Sequence, residues 1–237
     1  MDIFVMGDNK WRKEKEFPLA RTKWTDFYIH SGGNANGGAG DGTLDTIPPK
    51  AEPADTFTYD PGNPTPYLID ARELELSLNE DYSKVHATRT DLLAFTTAPF
   101  TKAMEITGPM SATVYAATDA LDTDWNVMLL DVYPDGRVMR IQDGVARARF
   151  REGFDKPKLL TPGMVYEYHL DMWYTGIVIP AGHKLRVTVA SAAFPKYDRN
   201  LNTGGDNERD TKFVSAHQRV LHDAEHPSRI RLPVIPR

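Results

Sequence analysis

The stretch 122–150 constrains the fold more strongly than any other part of the chain. Its first third alternates apolar side chains between two faces, with Met128, Leu130 and Val132 on one and Val127 and Leu129 on the other. Two turn signals follow, Pro134-Asp135-Gly136 and Asp143-Gly144, because Pro presets the backbone of a turn and Gly accepts the positive φ that closes it. Period-two alternation between turn residues is the signal of β-strands. The stretch therefore predicts a meander of three antiparallel strands. Its first strand is apolar on both faces, so we expect it to be covered on both sides.

Short runs of the same kind predict strands through the rest of the chain. They lie at 3–6, 25–30, 92–97, 109–118, 165–174, 185–189, 213–222 and 230–235. Residues 31–66 are rich in Gly and Pro, which predicts a long irregular segment. Residues 72–80 fit either one helical turn or an edge strand. Eight or nine short strands without an amphipathic helix favour an all-β fold, a jelly-roll-like β-sandwich.

Composition excludes several classes of function. The 237 residues include no cysteine, so the chain has no disulfides, no thiolate metal sites and no thiol nucleophiles. The 28 basic and 33 acidic residues are interspersed, without the basic stripe typical of nucleic-acid-binding proteins. No apolar run is long enough to span a bilayer, and the first residues do not form a signal peptide. We therefore expect no nucleic-acid partner, no membrane partner and a cytoplasmic location.

The sequence lacks the motifs of an assembled catalytic site. Gly-x-Ser-x-Gly is absent, and Ser31 comes nearest to it in Ile-His-Ser-Gly-Gly. This serine lacks the leading glycine and precedes no predicted helix, so a role in satisfying loop backbone groups is favoured. The glycines of 32–42 do not form Gly-x-Gly-x-x-Gly before a helix. We expect no catalytic residue and no cofactor in this chain.

Two groups of possible metal ligands are interpreted as structural. His222 and His226 are spaced i, i+4, but their order is not His-Glu-x-x-His and a proline follows. Asp122, Asp124 and Asp131 lack the Gly and Glu of a calcium loop, and we expect them to be solvated carboxylates at strand ends. Several aromatic residues suggest a carbohydrate platform, although core or interface roles are favoured for them: Trp11, Trp24, Phe27, Tyr28, Trp125 and Trp173.

Five motifs occur in order along nearly the whole chain. They are 4–12 (Phe-Val-Met-Gly-Asp-Asn-Lys-Trp-Arg), 30–33 with 40–44, 122–137, 194–205 (Phe-Pro-Lys-Tyr-Asp-Arg-Asn-Leu-Asn-Thr-Gly-Gly) and 222–228 (His-Asp-Ala-Glu-His-Pro-Ser). Together they resemble the C-terminal domain of the X-Pro dipeptidyl-peptidase and cocaine-esterase family of serine hydrolases. The resemblance implies a galactose-binding-like jelly roll that follows an α/β-hydrolase domain. The catalytic Ser, Asp and His of that family match no position here.

The resemblance also implies a division of the chain. Residues 1–24 are expected to be a connector from a missing α/β-hydrolase domain, which implies a truncated N-terminus, and residues 25–237 the sandwich. The sandwich would pack on the hydrolase domain and help to shape its pocket for a small ester or peptide substrate. Residues expected at that interface or pocket are Trp11, Trp24, Tyr67, Leu68 and Ile69. Residues 67–72 depart from the paired glycines usual in the family.

Three functions follow from these observations. The preferred one is a non-catalytic domain of an esterase or dipeptidyl-peptidase, inactive by itself. The alternative is a stand-alone carbohydrate- or ligand-binding module, which the fold class and the aromatic content suggest. An enzyme in its own right would need an assembled nucleophile and base, which the sequence does not show. Exposed sheet edges and a lost partner surface would also favour a homo-oligomer.

Overall fold

The computed structural model describes residues 1–69 and 80–237, which form an all-β domain. One short helix, α1 (Ser83–Thr88), and a 3-10 turn at Ala148–Phe150 accompany the strands. The described strands are β1 (Asp2–Val5), β2 (Lys10–Lys13), β3 (Lys23–His30), β4 (Thr43–Asp45), β5 (Asp55–Tyr59), β6 (Leu92–Thr96), β7 (Met104–Thr118), β8 (Asp124–Val132), β9 (Val138–Arg147), β10 (Tyr166–Ile179), β11 (Lys184–Ala190), β12 (Ala216–Leu221) and β13 (Arg229–Ile235). The predicted fold class is confirmed.

Eleven strands form one hydrogen-bonded sheet, ten of them in a single path with β10 as a branch, and the sheet folds into two layers. The first layer runs β5-β12-β7-β13-β3-β4, with β10 paired to β7. The second layer runs β6-β11-β8-β9. Strand β4 joins the layers, since it pairs antiparallel with β3 and meets β6 at one parallel pair, Thr43 and Thr96. Apolar side chains of both layers meet in one core, which is the arrangement of a β-sandwich.

Strand β8 is covered on both faces, as its sequence predicts. Trp125, Val127 and Leu129 point into the main core between the layers. Met128 and Leu130 point the other way, into a second cluster built from chain on either side of residues 70–79 and from the loop after β11. That cluster includes Tyr67, Tyr82 and Ala193. The irregular chain thus closes the outer face of the second layer.

The predicted third strand of the meander is wrong. Asp143-Gly144 is no turn, because β9 runs through it to Arg147 and the 3-10 turn follows. A Cβ at Gly144 would lie 2.4 Å from the Asp171 carbonyl oxygen and 2.9 Å from the Met172 sulfur. Glycine at this position therefore allows the backbones of β9 and β10 to approach closely, which is a known reason for glycine inside a strand.

Three other expectations need correction. Residues 31–66 contain the short strands β4 and β5, which Gly- and Pro-rich flanks concealed. Helix α1 was not predicted, and the expectation for residues 72–80 lies almost wholly outside the described residues. The strand predicted over 165–174 continues to Ile179 across a bulge, and Tyr174 beyond the bulge is 60% exposed. The bulge inserts one extra residue into β10 between Asp171 and Tyr174, which reverses the alternation of side chains.

The N-terminal residues form a hairpin of β1 and β2 that lies along β10. The Met6 N–H donates to the Gly176 carbonyl oxygen at 2.8 Å, and the Val178 N–H donates to the Met6 carbonyl oxygen at 2.9 Å. Arg12 donates to both carboxylate oxygens of Glu105 on β7. The hairpin therefore extends the first layer at its β10 edge. The division into 1–24 and 25–237 stays a prediction.

We predict that Gly144→Ala destabilises the domain by about 1–3 kcal/mol, the usual range for overpacking a tight site. The added methyl group would meet backbone of β10, which cannot move aside as a side chain can. Urea unfolding followed by tryptophan fluorescence measures the change. Gly62→Ala is the control, because its new Cβ would meet only the side chains of Phe213 and Asp60. Equal stability of Gly144→Ala and wild type would refute the tight approach.

Candidate functional site

The two layers of the sandwich leave one edge open. Strand β9 ends the second layer and β10 flanks the first, and no backbone pairing joins them in the described chain. They approach closely at Gly144, which faces Asp171 and Met172. We call this approach the β9–β10 contact. It separates two depressions with no lining residue in common.

The larger depression, the edge groove, has a volume of about 1220 Å³. Its walls are β1, the first half of β9 and the part of β10 after the bulge. Representative lining residues are Phe4, Met6, Ile141, Tyr174, Ile177 and Val178. Ile141 and Ile177 also pack against the main core. The groove is therefore an opening at the edge of the core, apolar in character and accessible to solvent.

Large apolar side chains are exposed along this groove. Phe17 packs edge-to-face on Tyr174 at 6.1 Å between ring centroids, and both line the groove. Trp173 beside them has φ +56°, a backbone conformation that bulky residues rarely adopt, and is 56% exposed. The bulge thus holds two adjacent aromatics outward. Exposed apolar patches of this kind mark interaction sites.

A polar pair lies at the other end of the groove. His183 Nδ1 is 2.9 Å from Asp131 Oδ1, and the His183 ring packs on Tyr133 at 4.4 Å between centroids. Burial raises the pKa of Asp131, and the hydrogen bond with His183 opposes that rise. The carboxylate and the tyrosine ring fix the orientation of the imidazole. All three side chains line the groove, so a surface bound there would meet an oriented polar group.

The five residues expected at an interface lie in three different parts of the domain. Trp11 is 72% exposed and packs at 5.4 Å on Phe4 of the groove. Trp24 is exposed on β3, away from the groove lining. Tyr67 and Leu68 belong to the cluster over β8, and Ile69 is at the exposed end of that segment. The role of Tyr67, Leu68 and Ile69 at a substrate pocket stays a prediction.

Sequence reasoning missed most residues of the groove. Its walls come from β1, β9 and β10, which are far apart in sequence and meet only through sheet topology. One local signal existed, because Trp173 and Tyr174 place two large aromatics side by side after a strictly alternating run. Phe27 and Trp125, considered for a carbohydrate platform, are buried in the main core. They cannot stack on a sugar.

Ser31 lies in a cluster that has the residue types of a catalytic triad. Its Oγ is 3.2 Å from His222 Nε2, and His222 Nδ1 is 3.0 Å from Glu52. Asp55 stands between them, however, 2.6 Å from Ser31 Oγ and 2.9 Å from His222 Nε2. The serine hydroxyl donates to this carboxylate, so it does not donate to the imidazole as a nucleophile must.

Charge balance supports a structural role for the cluster. Burial lowers the pKa of His222, but Asp55 and Glu52 outweigh it and raise the pKa overall. Burial raises the pKa of Asp55, but bonds from His222, Ser31 and the Ala35 N–H outweigh it and lower the pKa. The result is a buried imidazolium between two carboxylates. Ser31 Oγ also accepts the Gly33 N–H at 2.9 Å, which agrees with the interpretation of a loop serine.

The two histidines of the 222–228 motif serve separate contacts. His226 Nδ1 is 3.0 Å from Asp223, and its ring packs on Tyr115, while His222 faces the buried cluster. Within residues 1–69 and 80–237, no three His, Asp, Glu or Cys side chains are grouped so that they could hold a metal ion. Among the same residues, no helix has the length and apolar character to cross a bilayer.

Asp122, Asp124 and Asp131 are buried and paired, so the expectation of solvated carboxylates is wrong. Asp122 pairs with Arg149 at 2.7 Å and Asp124 with Arg147 at 2.9 Å. The Asn200 side-chain amide donates to both carboxylates. Their positions at strand ends suggested exposure, but the 194–205 segment covers them.

Asp143 completes this set of buried charges in the middle of β9. Lys196 donates to both of its carboxylate oxygens at 2.7 and 2.8 Å, and the Tyr197 hydroxyl donates at 2.9 Å. Arg140 lies 3.2 Å from the same carboxylate. The motif at 194–205 therefore acts as a clamp on β8 and β9. It supplies partners for charges that would be costly to bury alone.

Taken together, these features define an accessory β-sandwich domain, with an uncovered apolar groove at one edge and no assembled nucleophile among the described residues. A family model described as the X-Pro dipeptidyl-peptidase C-terminal non-catalytic domain matches residues 1–231. The chain belongs to this family. The resemblance drawn from the five motifs is confirmed, as is the prediction of a non-catalytic C-terminal domain.

Relatives extend this assignment. The chain is 41% identical over 239 residues to the cocaine esterase of Rhodococcus sp. (strain MB1 Bresler), covering 99% of this chain and 42% of that protein. An α-amino acid ester hydrolase superposes with TM-score 0.88 at 28% identity, over 98% of this chain and 40% of that one. An aminopeptidase from the marine sediment archaeon Thaumarchaeota archaeon superposes with TM-score 0.85 at 28% identity, over 99% and 40%. The chain thus spans about two fifths of these relatives.

We predict that His222→Gln destabilises the domain by about 3–5 kcal/mol, the usual cost of breaking a buried ion pair. The raised pKa of His222 means that its stabilisation is complete below pH 6.5, the ordinary histidine value, and is lost as pH rises through the folded-state pKa. The difference from wild type should therefore shrink in alkaline solution. Urea unfolding between pH 5.5 and 9 measures it.

His226→Gln is the matched control for this prediction. Its ring pairs with Asp223 where both side chains are about 30% exposed, so its loss should cost less than about 1 kcal/mol. A pH-independent difference for His222→Gln would contradict the imidazolium assignment.

Proposed function

We propose that this chain is the domain that packs on a catalytic α/β-hydrolase domain of the same protein, with the edge groove as the main contact. The observation that carries the proposal is the groove itself, which exposes apolar side chains at an open edge of the core. The family description names a non-catalytic C-terminal domain, and the relatives are more than twice as long as this chain. A covering partner explains why the edge is left open.

The aromatic pair at the bulge supports the groove as a docking surface. Trp and Tyr are enriched among residues that dominate binding energy, and here the backbone itself is held in an unfavourable conformation to project them. Phe4 and Trp11 on the hairpin add a second aromatic pair. These two pairs flank the groove from the β10 and β1 sides, so a docked surface would bury both.

The proposal includes a contribution to the substrate pocket of the partner. The relatives are named for hydrolysis of a cocaine ester, of α-amino acid esters and of peptide amino termini. These names share one chemistry, attack on the carbonyl of a small ester or amide. We propose a substrate of that class for the whole protein, and we assign residues 67–69 to the wall of its pocket. Self-association stays a separate prediction.

We predict that Tyr174→Ser weakens association with the catalytic region of the full-length protein at least tenfold, because an exposed aromatic anchor is lost. The catalytic region and this chain are produced separately, and isothermal titration calorimetry measures the dissociation constant. Phe213→Ser is the control, since Phe213 is an exposed aromatic away from the groove. Equal loss in both variants, or in neither, would refute the groove as the contact.

Hydrolysis gives an independent measurement of the same proposal. We expect the isolated chain to leave p-nitrophenyl acetate intact, and the complex with the catalytic region to hydrolyse it. A serine-directed phosphonate should label the catalytic region and not Ser31. Turnover by the isolated chain that the phosphonate abolishes would contradict the non-catalytic role.

A further inference from the structure

The Asp131–His183 pair at the polar end of the edge groove leaves one atom of the imidazole without a partner. His183 Nδ1 lies 2.9 and 3.1 Å from the two carboxylate oxygens of Asp131. Nε2, the other ring nitrogen, has no hydrogen-bond partner among the described residues. Both residues line the groove, so the free atom belongs to the surface assigned above to domain docking.

The backbone of His183 is fixed in the turn between β10 and β11. The Phe100 N–H donates to the His183 carbonyl oxygen at 2.9 Å, and the His183 N–H donates to the Pro180 carbonyl oxygen at 3.3 Å. The Gly182 N–H donates back to the Phe100 carbonyl oxygen at 2.8 Å. The fold therefore sets the position of the imidazole before any partner binds.

Side chains restrict the ring as well. Its face packs on Tyr133 at 4.4 Å between centroids, and the Arg137 guanidinium lies 4.5 Å from the centre of the same tyrosine ring. Arg137 is held in turn by Asp135, to which its Nε donates at 2.9 Å. Asp131 is only 5% exposed, and His183 is its one side-chain partner within the described part of the chain. The carboxylate and the stacked rings thus hold the imidazole in one orientation.

The carboxylate also determines which nitrogen of a neutral imidazole carries the proton. An ionised carboxylate only accepts hydrogen bonds, so the proton is on Nδ1. Nε2 then presents a lone pair and acts as an acceptor. Asp131 fixes the tautomer of His183 in the way that the carboxylate of a catalytic triad fixes its histidine. The difference is that no hydroxyl of the described residues pairs with Nε2 here.

A partner surface that covers the groove must satisfy this acceptor. An apolar group placed on Nε2 would leave a buried acceptor unpaired, which is unfavourable and rare in folded proteins. A carbonyl or carboxylate oxygen would repel the lone pair. A hydroxyl or an N–H group would pair with it. The groove therefore discriminates between surfaces that are equally apolar and equally well shaped.

We propose that the catalytic domain places a hydrogen-bond donor, a hydroxyl or an N–H group, on His183 Nε2 when it docks in the edge groove. This inference rests on the docking proposed above and adds the chemistry of one contact to it. The exposed aromatic pairs supply contact area that many surfaces could match. An oriented acceptor at one end of the groove selects one register of the docked surface against the others, and Asp131 is its positioning residue.

Two substitutions of His183 separate the roles of its two nitrogens. The amide of asparagine ends near the position of Nδ1 and can still donate to Asp131. The longer glutamine side chain reaches the position of Nε2 and can present its oxygen to a donor, but it leaves Asp131 buried without its partner. We expect His183→Asn to keep the stability of the isolated chain and to weaken docking, and His183→Gln to do the reverse. A histidine with a purely structural role would not give these opposite rankings.

Hydrogen exchange followed by mass spectrometry measures docking in the full-length protein. In the wild type, segments 139–142 and 174–178 of the groove should exchange more slowly in the full-length protein than in the 237-residue chain. His183→Asn should reduce this protection at least about fivefold, the lower end for leaving a buried polar group unpaired. His183→Gln should reduce it less than about twofold. Urea unfolding of the 237-residue variants gives the ranking of stability.

The outcomes distinguish this contact from docking itself. Equal exchange of the groove segments in the full-length protein and in the isolated chain would refute docking and the contact together. Slower exchange in the full-length protein that His183→Asn leaves unchanged would support docking and overturn the contact. The tautomer can be read from nitrogen-15 NMR of histidine-labelled chain. A proton on Nε2 of neutral His183 would also overturn the contact, because Nε2 would then be a donor.

Discussion

Close approach of β9 to β10 at Gly144 is the constraint on which the edge of this domain depends. A sandwich can be closed by pairing its edge strands, by covering them or by packing side chains between them. Here the two strands touch backbone to backbone at one point and diverge on both sides of it. Glycine permits that contact because any side chain would occupy the space of the Asp171 carbonyl group. Both depressions of the domain exist because the contact is this short.

In the same region, both apolar packing and polar interactions hold the second layer in place. Strand β8 sends alternate side chains into two different clusters, so each face needs its own cover. The outer cover is irregular chain, which contributes few backbone hydrogen bonds to the sheet. Ion pairs and amide hydrogen bonds from 194–205 compensate, since they attach the loop to Asp122, Asp124 and Asp143 at defined points.

Sequence patterns predicted the parts of this fold that depend on local chemistry. Alternation of apolar and polar residues located β3, β6, β7, β8 and β11, because a half-buried strand shows this period of two in its own sequence. It failed at Asp143-Gly144, a dipeptide typical of turns that here lies inside a strand. The glycine is needed because the backbone of Asp171, 27 residues away, leaves no room for a Cβ atom. Short strands such as β4 escaped because their burial comes from partners, and three residues carry too little periodicity.

The residues of the candidate site, too, come together through contacts between segments that are distant in the sequence. An interface role for Trp11 was expected from the family resemblance, and it stays a prediction. The groove itself was not expected, since its walls combine strands from both ends and the middle of the chain. Ser31, His222 and Asp55 have the composition of a catalytic triad, and only the position of Asp55 between the other two shows that the serine is not activated.

The buried aspartate pairs have a consequence for how such a sequence can change. Replacing one member of a buried pair leaves an unmatched charge in the core, whereas replacing both with apolar residues of similar volume is often tolerated. The partners here come from segments tens of residues apart, as with Asp143 and Lys196. Sequence change at these positions is therefore expected to require simultaneous substitution of both members of a pair. Engineers who recombine segments of related domains should keep β8, β9 and the 194–205 loop together from one parent.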